Sequence, residues 1–204
     1  MNLVQRIIII LAFTLFFIVS YFILVWHVVS QGVFHSLLIP GEEKIPFLPW
    51  TFFIYCLVYI VPAFAFLLLK TRESLLAVVR AFFVAIAIHI VVWFFYPVQY
   101  NLRPTTLPVG PQPLMRWVNF LFRLDNPPVN CFPSLHVTYA FLTYFAIRAY
   151  RRHLAPYFLL LAILISMSTL TFKQHFVADV IVGFLVAWGL GGLFFKGNRG
   201  TTLN

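Results

Sequence analysis

The sequence predicts an all-α fold, a polytopic integral membrane helical bundle with about six transmembrane helices, and three observations carry that expectation. Hydrophobic residues make up 62% of the 204 positions and charged residues only 9%, whereas a water-soluble globule holds about 25% charged residues. Mean hydropathy is +0.96. Apolar runs of about 20 residues, the length that crosses a bilayer core, alternate with short polar or proline-bearing joints. Six spans with their loops use the whole chain, so residues 1–204 read as a single membrane-embedded domain.

The first run, residues 7–26, follows Asn2 to Arg6 and has neither the short apolar core nor the small-residue cleavage site of a secretory signal. It reads as an uncleaved first span. Residues 30–50 contain Pro40-Gly41-Glu42-Glu43-Lys44 and Pro46-Phe47-Leu48-Pro49-Trp50. The prolines make this loop irregular, and its apolar residues place it on the membrane surface or against the other outer loops. Residues 51–69 form the second span, with a kink expected at Pro62. Residues 75–95 form the third, with Arg80 near enough to its start to snorkel. His89 lies deep in that span without an acidic neighbour, so the favoured reading is a histidine hydrogen-bonded between helices rather than a functional one.

Residues 96–133 are the least membrane-like part of the chain, holding seven of the thirteen prolines before Pro133 closes the stretch. Within them, residues 114–124 have the pattern of a short interfacial amphipathic helix, with Trp117 as an anchor and Arg116 and Arg123 reaching lipid headgroups. This helix would rim whatever lies beneath it. The fourth span, residues 134–150, is rich in hydroxyl groups (Ser134, Thr138, Tyr139, Thr143, Tyr144), as suits a helix facing protein. Residues 154–172 and 175–195 complete the set. Gly183, Gly189, Gly191 and Gly192 permit close helix contacts in the last.

The net charge of +9 comes from basic residues scattered among loops, which points to membrane topology rather than to nucleic acid. With six spans, Arg6, Lys70, Arg72, Arg80, Arg148, Arg151, Arg152, Lys196 and Arg199 share one side, nine of the fourteen basic residues. That side is expected to be cytoplasmic and to hold both termini. Cys56 and Cys131 lack metal-binding spacing, and their placement argues against a disulfide. The five acidic residues do not cluster as magnesium ligands would.

Two stretches carry chemistry. Lys173-Gln174-His175-Phe176-Val177-Ala178-Asp179 sets a carboxylate four residues after an imidazole, on one face of a helix. Asp179 there either fixes the tautomer of His175 and stabilises its charged form, or the pair merely anchors a membrane helix. Cys131-Phe132-Pro133-Ser134-Leu135-His136 places a second histidine just inside a helix start favoured by Pro-Ser. Arg103, in Asn101-Leu102-Arg103-Pro104, offers the side chain best shaped for phosphate oxygens. All of these fall on the side opposite the nine basic residues.

Arg103-Pro104, then Pro133-Ser134-Leu135-His136, then Ser168 through His175 to Asp179 together resemble the three-part signature of the type 2 phosphatidic acid phosphatase superfamily, over roughly the C-terminal half of the chain. Two positions depart from the family pattern: Tyr96 stands where many members have lysine, and Thr169 where many have arginine. The resemblance implies a membrane lipid phosphate phosphatase, acting on a phosphatidate, a polyprenyl (di)phosphate or a similar lipid, without metal or cofactor. It assigns His175 as nucleophile forming a phosphohistidine, Asp179 as its orienter and His136 as general acid and base. Arg103, Lys173 and Ser134 would bind the phosphate, Lys173 replacing a missing cation. The alternatives are a phosphotransferase of the inositol phosphorylceramide synthase-like type, with Glu42 and Glu43 placed to bind a sugar or inositol, and a non-enzymatic lipid-binding protein. The implied setting is a bacterial inner (cell) membrane with the site on its extracytoplasmic face.

Overall fold

The computed structural model describes residues 3–195; Lys196 and Arg199 lie outside the described residues. Among these the secondary structure is helical: α1 Leu3–Gln31, α2 Phe52–Cys56, α3 Val61–Leu68, α4 Arg72–Phe95, α5 Gln112–Leu124, α6 Leu135–Tyr150, α7 Ala155–Thr171 and α8 Val177–Phe194. Isolated bridges from His35 to Val98 and from Val98 to Asn130 join the outer loops. Among the described residues five segments are long and apolar enough to cross a membrane: Val4–Gln31, Pro49–Leu68, Arg72–Phe95, Arg152–Thr171 and Val177–Phe194.

The difference from six is α6. Its 16 residues span ~24 Å at ~1.5 Å per residue, short of a ~30 Å hydrocarbon core. The helix packs against α3, α4, α7 and α8, and Ala140, Leu142, Thr143, Ala146 and Ile147 on it are fully buried. Surrounded by protein, α6 is not held to the length a lipid-facing helix needs. The second expected span is also not one helix, since α2 passes through a 3-10 turn at Leu57–Tyr59 before α3 begins. Pro62, at the start of α3, has no N–H to give the preceding turn, which accounts for the break.

Side-chain bonds show which helix ends meet. Arg6 of α1 donates to the carbonyls of Phe66 (3.0 Å) and Leu69 at the end of α3, and Arg151 donates to Leu68 O at 3.3 Å. Tyr150 and Phe195 pack together at this same end. At the opposite end the loops tie to one another through His35 N to Pro97 O, Tyr100 N to Pro128 O and Leu48 N to Thr171 O, each 2.9 Å. There α5 lies with Leu114, Val118, Leu121 and Phe122 packed on Tyr55 and Phe172, and with Trp117, Phe120 and Leu124 exposed. It is the amphipathic helix the sequence predicts.

In a bilayer, helices associate through close packing of small residues rather than through hydrophobic drive. Ala81, Ala85, Ala140, Ala162 and Ala187 are accordingly fully buried. At Gly183 of α8, an added Cβ would stand 2.6 Å from the backbone oxygen of Ser134, so only glycine lets α6 and α8 approach this closely. The Thr138 hydroxyl of α6 lies 2.9 Å from Gly183 O and 3.2 Å from His89 Nε2. His89 donates from Nδ1 to Ala85 O at 2.7 Å, the bonded arrangement between helices expected of it.

Candidate active site

Local structure delivers the two histidines to one point. Ser134 caps α6, its hydroxyl accepting from Val137 N at 3.4 Å, while its own N–H donates to the backbone oxygen of Asp179 at 3.0 Å. This ties the first turn of α6, which holds His136, to the first turn of α8. After α7 the chain folds back on itself, with Gln174 N and His175 N both reaching Thr169 O, at 2.9 and 3.3 Å. The reversal requires Lys173 to take a left-handed φ of 56°, strained for a residue with a side chain. The Asp179 carboxylate then accepts from Phe176 N at 2.8 Å, stabilising the start of α8.

The imidazoles form a chain of contacts. Tyr55 OH lies 2.7 Å from His136 Nε2, His136 Nδ1 lies 3.2 Å from His175 Nε2, and His175 Nδ1 lies 2.9 Å from Cys131 O and 3.3 Å from an Asp179 carboxylate oxygen. A carbonyl only accepts, so His175 carries its proton on Nδ1 and presents a lone pair at Nε2. With both rings neutral, His136 must then donate from Nδ1, and Tyr55 must donate to His136 Nε2. Cys131 contributes through its backbone. Burial pushes its thiol well above the usual range, with Asp179 and Asp125 adding to the effect, so it stays protonated and donates to Pro128 O at 3.2 Å.

Arg103 reaches this region from the outer loops. Its guanidinium donates to Asp125 O at 2.6 Å, to the Asp125 carboxylate and to Gln174 Oε1, beside His175. It also stands 5.0 Å over the Phe122 ring. The other carboxylate oxygen of Asp125 accepts from Tyr21 OH of α1. Asp125, Gln174 and Tyr21 thus surround the arginine that sequence reasoning marked alone.

The two other expected phosphate ligands point elsewhere. Lys173 donates to Glu42 O at 3.4 Å; burial lowers its pKa from the usual lysine value, with Glu42 and Glu43 partly opposing. The carboxylate of Glu42 is itself buried, accepting from Val177 N and from Ile39 N at 3.0 Å. That use replaces the expected sugar or inositol contact at Glu42: the group stabilises the start of α8. Ser134 is fully buried and its hydroxyl is engaged in the cap.

A cavity of about 250 Å³ opens from the histidines. Gln174, His175, His136 and Asp125 are among its lining, with Phe13, Phe17, Pro62, Ala63 and Phe66 of α1 and α3, Trp93 of α4 and Leu121 and Leu124 of α5. Of the six residues named from sequence, His136 and His175 line it; Asp179, Arg103, Lys173 and Ser134 do not. Tyr55, also lining it, lies 81 positions from His136, and its only sequence signal is a pair of tyrosines one turn apart, Tyr55 and Tyr59. Among the described residues no group of three His, Cys, Asp or Glu is placed to hold a metal ion.

A family model described as the PAP2 superfamily matches residues 77–201. Comparisons with curated proteins and with solved structures give no match.

Proposed function

From the premise that the chain belongs to the PAP2 superfamily, whose members are lipid phosphate phosphatases and phosphotransferases, we propose that it hydrolyses a lipid phosphate through a phosphohistidine. The observation that carries this reading is the cavity, which is lined both by the two histidines and by aromatic and aliphatic side chains, those of α1 and α3 among them. A phosphate with a hydrocarbon tail fits both parts. A small water-soluble phosphate would leave the apolar part without a partner.

His175 Nε2 attacks phosphorus, and the bond to the lipid oxygen breaks as His136 gives that oxygen a proton. Cys131 O and Asp179 keep the His175 proton on Nδ1 and balance the charge the ring acquires. In the second step His136 takes a proton from water, whose oxygen attacks phosphorus and releases His175. The imidazole nitrogens stand 3.2 Å apart, so the rings must part to admit the phosphoryl group. Arg103 exchanges Asp125 for phosphate oxygens, a bidentate grip suited to guanidinium. Lys173 and Ser134 support the loop and the helix start that hold the histidines.

The histidine end is proposed to face away from the cytoplasm. Arg6, Lys70, Arg72 and Arg151 cluster at the other end, as the positive-inside rule asks of a cytoplasmic face. Cysteines introduced near Arg151 should resist an impermeant reagent applied from outside; labelling there would reverse the orientation. The function itself is tested by incubating purified protein with a panel of lipid phosphates while assaying free phosphate and transferred headgroup separately. Free phosphate, lost in His175→Ala, is the expected result. Transfer to a second lipid would make the protein a phosphotransferase, and no turnover of any lipid would leave a lipid-binding role.

A further inference from the structure

We propose that Tyr55 is a positioning residue for His136, its hydroxyl holding the imidazole with Nδ1 toward the reacting phosphoryl group while the ring changes charge; the role rests on the phosphatase reading above. Among the described residues no carboxylate touches His136, although a carboxylate is the usual orienter of an acid-base histidine and His175 has one. Tyr55 OH occupies that position at 2.7 Å from Nε2. The phenol is itself well fixed. Tyr55 is 3% exposed, and its ring packs against Phe172 at 5.3 Å and against His136 at 4.6 Å between centroids.

A hydroxyl suits this place because it both donates and accepts. In the resting arrangement His136 gives its Nδ1 proton to the lone pair of His175, and Tyr55 donates to Nε2. To act as general acid, His136 takes a second proton at Nε2, from water or from the substrate monoanion. Tyr55 then turns about its C–O bond and accepts from Nε2–H. Loss of the Nδ1 proton to the leaving alcohol leaves Nε2–H still bound to Tyr55 and a free lone pair at Nδ1, facing the incoming water as the second step requires. The tyrosine proton stays on oxygen throughout. A carboxylate here would favour the charged ring at both steps, and an apolar side chain would hold neither form.

Tyr55→Phe removes the hydroxyl and retains the ring. With a lipid phosphate, kcat should fall about 10- to 100-fold, the factor expected for loss of a hydrogen bond to an ionised group, while KM stays near the wild-type value. The burst of nitrophenol from nitrophenyl phosphate should be nearly preserved, because that leaving group departs without a proton. Nitrogen-15 spectra of the histidine side chains should show His136 protonated on Nδ1 in both proteins, as the His175 lone pair requires, with the Nε2 resonance shifted in the variant because its hydrogen bond is lost. Unchanged kcat with unchanged His136 signals would overturn the proposal. So would an equal loss on both substrates with unchanged signals, which is what a packing role predicts. The spectra need no turnover, so wild-type protein inert toward every lipid phosphate would sink the phosphatase reading while the His136 Nε2 signal still judged Tyr55.

Discussion

Between α6 and α8, backbone meets backbone: Ser134 N binds Asp179 O at 3.0 Å, and Gly183 leaves no room for a side chain against Ser134 O. Between α1 and α3, apart from the Arg6 bonds at the far end, contact is made by side chains such as Phe13 and Phe66, whose rings pack at 6.3 Å, and Phe13, Phe17, Pro62 and Phe66 line the cavity. The first contact fixes two imidazoles to within a hydrogen bond. The second only excludes water and leaves space. Chemistry that depends on atoms meeting at ~3 Å tolerates little displacement, whereas a hydrocarbon chain needs apolar area and no defined partner. The matched family region, residues 77–201, contains the whole of the first contact and neither helix of the second.

Substitutions on the two sides should therefore fail differently. On the histidine side, His175→Ala should abolish turnover of every substrate, by about 10,000-fold or more, since the covalent route is gone. His136→Ala should instead release one burst of nitrophenol from nitrophenyl phosphate and stall as an acid-labile phosphohistidine. Quench-flow with acid and base quenching separates these outcomes, and a burst from His175→Ala would exchange the two roles.

Gly183→Ala tests the seam without touching either imidazole. Its Cβ would lie 2.6 Å from Ser134 O, so α6 and α8 must move apart. Overpacking of this kind costs roughly 1–3 kcal/mol, and displacement of the histidines by about 1 Å costs roughly 100-fold in kcat. Thermal unfolding and kcat should fall together; a normal kcat would show that the seam does not set the histidine geometry. The smallest effect belongs to the apolar wall. Ala63→Phe narrows the cavity, so KM for a long-chain lipid phosphate should rise about tenfold, the value of one or two buried methylenes, with nitrophenyl phosphate unaffected. Equal changes for both substrates would place the tail elsewhere.

What was legible in the sequence was local. The His175 to Asp179 spacing, the Pro133-Ser134 start before His136, the break near Pro62 and the amphipathic α5 all follow from neighbours a few positions apart. Contacts made across the chain were hidden. Tyr55 meets His136 over 81 positions, and Glu42 meets Val177 over 135. Backbone acceptors are hidden for a different reason: Cys131 holds His175 through its carbonyl, which carries no residue identity. For Lys173, closeness to His175 in sequence does not fix direction: its amine donates to Glu42 O. Length and hydropathy pass over α6, whose 16 residues are enclosed by other helices, because they register apolar length and not whether a helix meets lipid or protein.

Asp179 is bound at three points: its carboxylate accepts from Phe176 N and faces His175, while its backbone oxygen accepts from Ser134 N. A helix slide that separated the imidazoles would have to break that set together. Rotation of the His136 side chain breaks none of it. Opening for the phosphoryl group is therefore expected within the nanosecond range of side-chain motion rather than the microsecond to millisecond range of moving helices. Amide relaxation dispersion across residues 134–138 and 176–183 should accordingly be flat, and the rate of substrate capture should be set by how fast lipid diffuses to the cavity rather than by any slow shape change of the protein.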